Sequence, residues 1–312
     1  MNTMGILAEL LKQLEGLHMQ SLSRMNRIGG LEVADLIGML SNPVDHTVIG
    51  QEPVFPEIHI SSISSKCNEV GEQSLLNGET ACCFIANDEN LNSEEILKCI
   101  ESSELGRVKN RWVMVPPNRF DEMKDLKDLK VFSGFECFRL LPDSTVYFQD
   151  GAPVYHPCGT GDVFPALLES GLIASFNGAG GKNIVFIDLT KDFVDNEIKV
   201  LGHHIVTGRP VTYCVRNTSS SSEGVLCSHS GFNKIVEKFR FHYGIPSDNG
   251  YSYAANFVVI KSDLLAESVE LPWHRTKRIL NGGVYIQHER FISDMTSLFQ
   301  TQYVDVTKSS PE

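Results

Sequence analysis

The sequence predicts an α/β protein: a mostly parallel sheet flanked by helices, with a small helical layer at its N-terminus. Three observations carry this. Short apolar runs recur along the chain from about residue 80 to residue 306. Helix-period segments fall between many of them, the pattern of strands joined through crossover helices. The first fifty residues instead carry only the helical period.

The elements follow in order. Ile6, Leu7, Leu10, Leu11, Leu14 and Leu17 share one helical face. A second pattern holds Leu31, Val33, Leu36, Ile37 and Leu40, and Pro43 ends it. Residues 1–50 are therefore expected to form a helical arm and residues 51–312 an α/β domain. Strands are predicted at 81–86, 112–115, 131–132, 184–187, 211–215, 257–260 and 303–306. Helices are predicted near 93–101, 119–128, 163–175, 193–207 and 290–299. The first of these begins near Ser93, with Asn90, Asn92 or Ser93 as its cap and Glu94 and Glu95 in its first turn.

Composition narrows the function. Hydrophobic residues make up 42% of 312, charged residues 21%, and the formal charge is −12. An acidic chain of this kind is a poor bulk partner for nucleic acid, which needs an excess of Lys and Arg. No apolar run approaches the roughly 18–20 residues that span a bilayer, and no cleavable signal is visible. A cytoplasmic location is expected. The eight cysteines include no C-x-x-C pair, which disfavours zinc, and Cys82-Cys83 inside an apolar strand reads as buried thiols.

Local chemistry is sparse. Gly159-Thr160-Gly161-Asp162 precedes an amphipathic segment, so it is either a place where backbone approaches a ligand closely or a tight turn capped by Asp162. Asp188 closes the apolar run at 184–187. An acid at a strand's carboxyl end either holds Mg²⁺ beside phosphates or is an exposed strand-end carboxylate. Gln287, His288, Glu289 and Arg290 are expected around a bend, and His203 and His204 on different faces of a helix.

Taken together, several segments resemble the UDP-N-acetylglucosamine pyrophosphorylases, within the wider UDP-sugar pyrophosphorylase group. The family's A-P-D-G-N-G-G-L-Y-x-A-L segment is similar to His156-Pro157-Cys158-Gly159-Thr160-Gly161-Asp162-Val163-Phe164-Pro165-Ala166-Leu167. Its V-D-N strand end matches Ile187-Asp188-Leu189, and its G-V-V-C segment matches Gly224 through Glu237. The L-P-Y-H segment matches Leu271 to Arg278, and N-G-I-K-x-E-K-F-x-F-D matches Asn281 to Asp294. Asn256 matches the second Asn of an N-x-x-N-H stretch.

The resemblance implies a Rossmann-like nucleotide-diphospho-sugar transferase fold without the family's C-terminal extension. It implies substrate contacts at Gly159, Thr160, Gly161, Asp162, Gly224, Glu237 and Asn256, with Asp188 as the Mg²⁺ ligand. UDP-sugar, UTP or a sugar phosphate would be the small-molecule partner.

Departures from the family are as informative. Its A-G-G-x-G-T-R-L-G loop, which wraps the triphosphate, is replaced by Asn87, Asp88, Glu89 and Asn90, and no P-K follows. Two carboxylates oppose a triphosphate: at about 4 Å and an effective dielectric near 20, each like-charge contact costs on the order of 4 kcal/mol. That is about three decades in affinity or rate. The nucleotide-holding Gln falls at Cys137 or Phe138, and Gln287 stands where the family has a phosphate-reaching Lys. The expectation is a catalytically degenerate member that binds a nucleotide sugar or serves as scaffold or regulator of a protein partner, such as an active paralogue. Two alternatives stand beside it: an active uridylyltransferase using Arg216, Lys277, Arg278 or Arg290 as replacement cations, and a pure protein-interaction module.

Overall fold

The computed structural model describes residues 60–86, 91–126, 128–189, 194–217, 257–280 and 283–306, with backbone alone for 47–49, 216–217, 251–252 and 277–280. Of the predicted N-terminal arm, residues 1–46 lie outside the described residues.

Strand β1 (Thr47–Ile49) is followed by helix α1 (Cys67–Leu76) and strand β2 (Thr80–Ile85). Helix α2 (Ser93–Ser102), β3 (Asn110–Val115), α3 (Pro117–Met123) and β4 (Lys130–Ser133) come next. A run of short strands follows: β5 (Glu136–Phe138), β6 (Phe148–Gln149), β7 (Ala152–Pro153) and β8 (Tyr155–Pro157). A single 3₁₀ turn, Thr160–Asp162, leads into α4 (Val163–Glu169) and α5 (Leu172–Gly178). Then come β9 (Asn183–Asp188), α6 (Glu197–Thr207), β10 (Val211–Asn217), β11 (Tyr251–Ser252) and β12 (Phe257–Lys261). The hairpin β13 (Trp273–Leu280) and β14 (Gly283–Glu289), a 3₁₀ helix at Ile292–Ser297 and β15 (Thr301–Asp305) complete the order.

The main sheet runs β11-β10-β12-β9-β2-β3-β4, with β15 beside β10. Strands β2, β3, β4 and β9 pair in parallel, and β15 runs parallel to β10. Strands β11 and β12 oppose their neighbours. This is the mixed, largely parallel sheet that the alternation of strand and helix patterns predicts.

Strand period explains the layers. Ala81, Cys83 and Ile85 of β2 face one core, with Val163, Phe164 and Leu167 of α4. Cys82, Phe84 and Ala86 face the other, with Ile96 and Ile100 of α2 and Val200 and Leu201 of α6. With both faces covered, β2 reads as a continuous apolar run rather than an alternating one. Cys82 and Cys83 are fully buried, as expected, and burial pushes both thiols up. Helix α1 packs on α6 at almost backbone distance: a Cβ on Gly202 would lie 1.6 Å from the Cys67 carbonyl oxygen.

Several expectations needed correction. The helix expected over 163–175 is two helices, because Gly171 turns left-handed at φ +71°. The helix expected at 290–299 is a 3₁₀ segment. Gln287, His288 and Glu289, expected in a bend, lie in β14 paired with β13. Of the three candidate caps for α2, Asn92 is the one used: its side chain accepts from the Glu95 amide at 2.9 Å, and the Glu95 carboxylate accepts from the Asn92 amide at 2.9 Å. This reciprocal pair satisfies two of the amides that a helix start leaves open.

Candidate functional site

The sheet topology sets the location. From β2 the chain steps outward through β3 and β4, then returns to pair with the opposite side of β2 as β9. In open α/β sheets the crevice at such a reversal, beyond the carboxyl ends of the strands, is where ligands bind. Two groups of predicted residues stand on that edge.

Asp188 ends β9 in register with Ile85, the last residue of β2. It is buried at 7% exposure, so it is not the solvated strand-end acid of the alternative reading. Its negative charge, after burial itself, contributes to holding the Tyr213 phenol above its usual range. Among the described residues, no group of three or more His, Cys, Asp or Glu could hold a metal ion. Fewer than three such donors among the described residues suit Mg²⁺ arriving with ligand phosphates, and do not suit a cage made by protein alone. The residues that follow β2, Asn87, Asp88, Glu89 and Asn90, lie outside the described residues.

The second group is the turn at 159–162, at the carboxyl ends of β3 and β4. The Gly134 amide donates to the Val115 carbonyl at 2.9 Å, and the Phe135 amide donates to Asp162 Oδ2 at 2.6 Å. Asp162 therefore does not cap the helix after it; its carboxylate is committed to the strand β4 exit. Its Oδ1 is buried with no hydrogen-bond partner among the described residues. Burial pushes this carboxyl up to about 6, against the pull of the Phe135 amide and the Arg290 charge.

The two glycines are required by the chain itself. Gly159 has φ +91°, and a Cβ there would meet the Arg290 carbonyl oxygen at 2.4 Å. A Cβ on Gly161 would meet the Phe291 carbonyl carbon at 2.9 Å. The close approach these glycines permit is thus taken up by residues 290–291. The contact is pinned by hydrogen bonds: Gly161 amide to Arg290 carbonyl at 2.9 Å, Arg290 amide to Cys158 carbonyl at 2.7 Å, and Ile292 amide to Thr160 Oγ1 at 3.2 Å.

Three of the five sequence segments singled out above therefore converge: 156–167, 271–278 and 281–294. Thr276 Oγ1 donates to Glu289 at 2.5 Å, and His274 Nε2 and Asp294 Oδ2 sit 2.6 Å apart, both fully buried. Burial holds Asp294 above the usual carboxylate range, with His274 opposing the rise. His156 is buried beside the Pro157 carbonyl at 2.9 Å, and desolvation takes it down to about 4, so it is neutral. Gln287 is 7% exposed in β14, opposite Thr276. The Arg290 guanidinium lies over the Trp273 ring, 4.1 Å from its centre. Gly224, Glu237 and Asn256 lie outside the described residues, as do the side chains of Arg216, Lys277 and Arg278. Helix α6 lies within the expected 193–207 helix and buries both His203 and His204, with His204 Nδ1 2.8 Å from Thr212 Oγ1.

Sequence reasoning misses the interlock between 158–162 and 290–292. The one available signal is the pair of glycines itself, which marks a close backbone approach without naming its partner. Among the described residues no helix is long and apolar enough to cross a membrane.

No protein-family model and no curated protein sequence matches the chain. Solved structures do match. A candidate UDP-N-acetylglucosamine pyrophosphorylase of Entamoeba histolytica aligns with TM-score 0.52 and 13% identity over 81% of this chain and 80% of that one. A point mutant of UDP-glucose pyrophosphorylase from Leishmania major aligns with TM-score 0.54 and 13% identity, over 82% of this chain and 66% of that one. A second point mutant of the Leishmania major enzyme, crystallised with UDP-glucose, gives TM-score 0.57 and 13% identity over 88% and 70%. The chain therefore has the fold of the UDP-sugar pyrophosphorylases, a nucleotidyltransferase-like α/β architecture.

Proposed function

We propose that this protein binds a nucleotide sugar at the carboxyl edge of its sheet and does not carry out uridylyl transfer. The observation that carries the binding half is the buried carboxylate of Asp188 at the β2–β9 reversal. Mg²⁺ is the proposed cofactor there, bringing charge compensation for a diphosphate. The turn Gly159-Thr160-Gly161-Asp162 supplies the neighbouring surface, with Asp162 Oδ1 as a buried acceptor lacking a partner among the described residues. Gly224, Glu237 and Asn256 are proposed as further ligand contacts on sequence grounds alone. A structural relative crystallised with UDP-glucose supports the choice of ligand class.

The catalytic half is argued from charge. Departure of pyrophosphate needs cations and closely approaching amides. The chain after β2 reads Asn87-Asp88-Glu89-Asn90 instead, two acids with no glycine. Gln287 is neutral and buried in β14. A scaffold or regulatory role beside an active paralogue, in the cytoplasm, is the biological setting we propose.

Arg290 favours a second reading. Its backbone is hydrogen-bonded to the 158–162 turn, its cation lies over Trp273 and draws the Asp162 carboxyl down, and it is the described candidate for replacing the missing Lys in an active uridylyltransferase. Thermal denaturation of the full chain with UDP-glucose, UDP-N-acetylglucosamine, UTP and UDP, each with and without Mg²⁺, tests the binding half. A ligand at a hundred times its dissociation constant adds about 2.7 kcal/mol of stability. A flat response to all four would favour a pure interaction module.

A further inference from the structure

Two sulfurs that the proposed function leaves unused lie side by side. Cys137 is the middle residue of β5, and Cys158 follows β8 directly. In the antiparallel pair of these strands Cys137 stands opposite His156, and the Cys158 amide donates to the Phe135 carbonyl at 3.2 Å. That register brings the two Sγ atoms to 3.1 Å. Cys137 is partly exposed, whereas Cys158 is buried. The other described cysteines differ. Cys67, Cys82, Cys83 and Cys214 are buried in the cores, and Cys99 is partly exposed on α2.

We propose that Cys137 and Cys158 form a redox-active pair that closes a reversible disulfide, with Cys137 as the attacking thiol and Cys158 as the resolving one. Geometry permits it: the sulfurs need to approach by only about 1 Å to reach bonding distance of about 2.05 Å. Accessibility assigns the order, because an oxidant reaches the partly exposed sulfur first. The hydrogen bond shared with Cys158 also holds the Cys137 thiol below its usual range, while the same contact and burial push Cys158 up.

With hydrogen peroxide as oxidant, the Cys137 thiolate attacks one peroxide oxygen. The O–O bond breaks, and the departing hydroxide takes a proton to leave as water. Cys137 is then a sulfenic acid. Cys158 loses its thiol proton and attacks the Cys137 sulfur. The S–O bond breaks, and the departing hydroxide takes that proton to leave as a second water. Two thiols have lost two electrons and two protons, and one peroxide has become two waters. The bond fastens β5 to the residue immediately before the Gly159–Asp162 turn. The pair stands whatever that turn binds, so the test below is independent of the proposed ligand.

The full chain is titrated with hydrogen peroxide, free thiols are alkylated, and peptides are mapped by mass spectrometry. The expected result is a linked peptide joining residues 137 and 158, reversed by dithiothreitol, at peroxide doses on the order of tenfold below those that modify Cys99. Cys158→Ser should leave Cys137 trapped as a sulfenic acid that dimedone captures. Cys137→Ser, at the partly exposed position and so tolerant of replacement, should leave Cys158 reduced. Linkage of Cys137 to a different cysteine, or oxidation of Cys137 no easier than that of Cys99, would overturn the proposal.

Discussion

Asp188, the last residue of β9, stands in register with Ile85, the last residue of β2, across a parallel pair. The strand run that carries the acid and the strand run that leads into Asn87-Asp88-Glu89-Asn90 thus end side by side. In an active nucleotidyltransferase of this fold such an edge would need positive charge. Here the described side carries the carboxylate proposed to hold Mg²⁺, and the sequence beyond β2 adds two acids where the family it resembles has none.

A first prediction concerns Asp188. Asp188→Asn keeps volume and removes charge. In the wild type, Mg²⁺ should increase the thermal stabilisation given by UDP-glucose; in the variant that increment should vanish, while stabilisation without Mg²⁺ stays the same. The ligand-induced shift is compared within each protein, so any change in the variant's own Tm drops out. An undiminished Mg²⁺ increment would remove Asp188 from the proposed site.

Gly159 tests the interlock of the turn. Gly159→Ala combines a left-handed backbone with a Cβ 2.4 Å from the Arg290 carbonyl oxygen, and should cost about 3 kcal/mol or more. Gly151 also has positive φ, +82°, but open space around its Cβ position. Gly151→Ala should therefore cost only about 1–2 kcal/mol. Chemical denaturation of both variants measures the difference, which isolates the clash from the backbone penalty. Equal costs would mean that residues 290–291 yield freely.

How much of this is legible in the sequence depends on what each segment buries. Strands β2, β3, β9 and β12 are apolar on both faces and announce themselves as continuous runs. Helix α1 escapes the sequence pattern because it buries Cys67, Gly71 and Ser74, small residues that give no hydrophobic period. Strand β14 resembles a bend in sequence because its buried positions include the polar Gln287 and Glu289, the latter accepting from Thr276 across the hairpin, a pairing that sequence does not display. Gly171 passes for one residue of a longer helix, since nothing in an apolar period marks a φ sign change. At the site, the glycines and Asp188 are visible as residue types. The pairing of Cys137 with Cys158 is not, because it depends on the β5–β8 register.

Asp162 gives a pH prediction. Its folded value of about 6 lies above the ordinary carboxyl value of 3.8, because burial disfavours the charged form. A raised carboxyl contributes stability that is fully present below the unfolded value and is lost as pH rises through the folded one. Asp162→Asn keeps an oxygen for the Phe135 amide and carries no charge at any pH. Relative to wild type it should gain stability between pH 4 and pH 8, by at most on the order of 3 kcal/mol. Tm measured at both pH values checks this. A gain that is larger at pH 4 than at pH 8 would contradict it.

The cap of α2 offers a local control. Asn92→Ala removes one half of the reciprocal bonds with Glu95 and should cost about 1 kcal/mol, a drop of roughly 2–4 °C in Tm. Scanning calorimetry reads it directly, and an unchanged Tm would show that this helix start is held by packing instead.

The central claim is binding without uridylyl transfer, and pyrophosphorolysis tests it most directly. The purified full chain is incubated with UDP-glucose or UDP-N-acetylglucosamine, Mg²⁺ and pyrophosphate, and UTP is measured. The account predicts thermal stabilisation by the nucleotide sugar and no UTP above a no-protein control. Sustained, enzyme-dependent UTP formation that is lost in Arg290→Ala would contradict it and establish the active reading in its place.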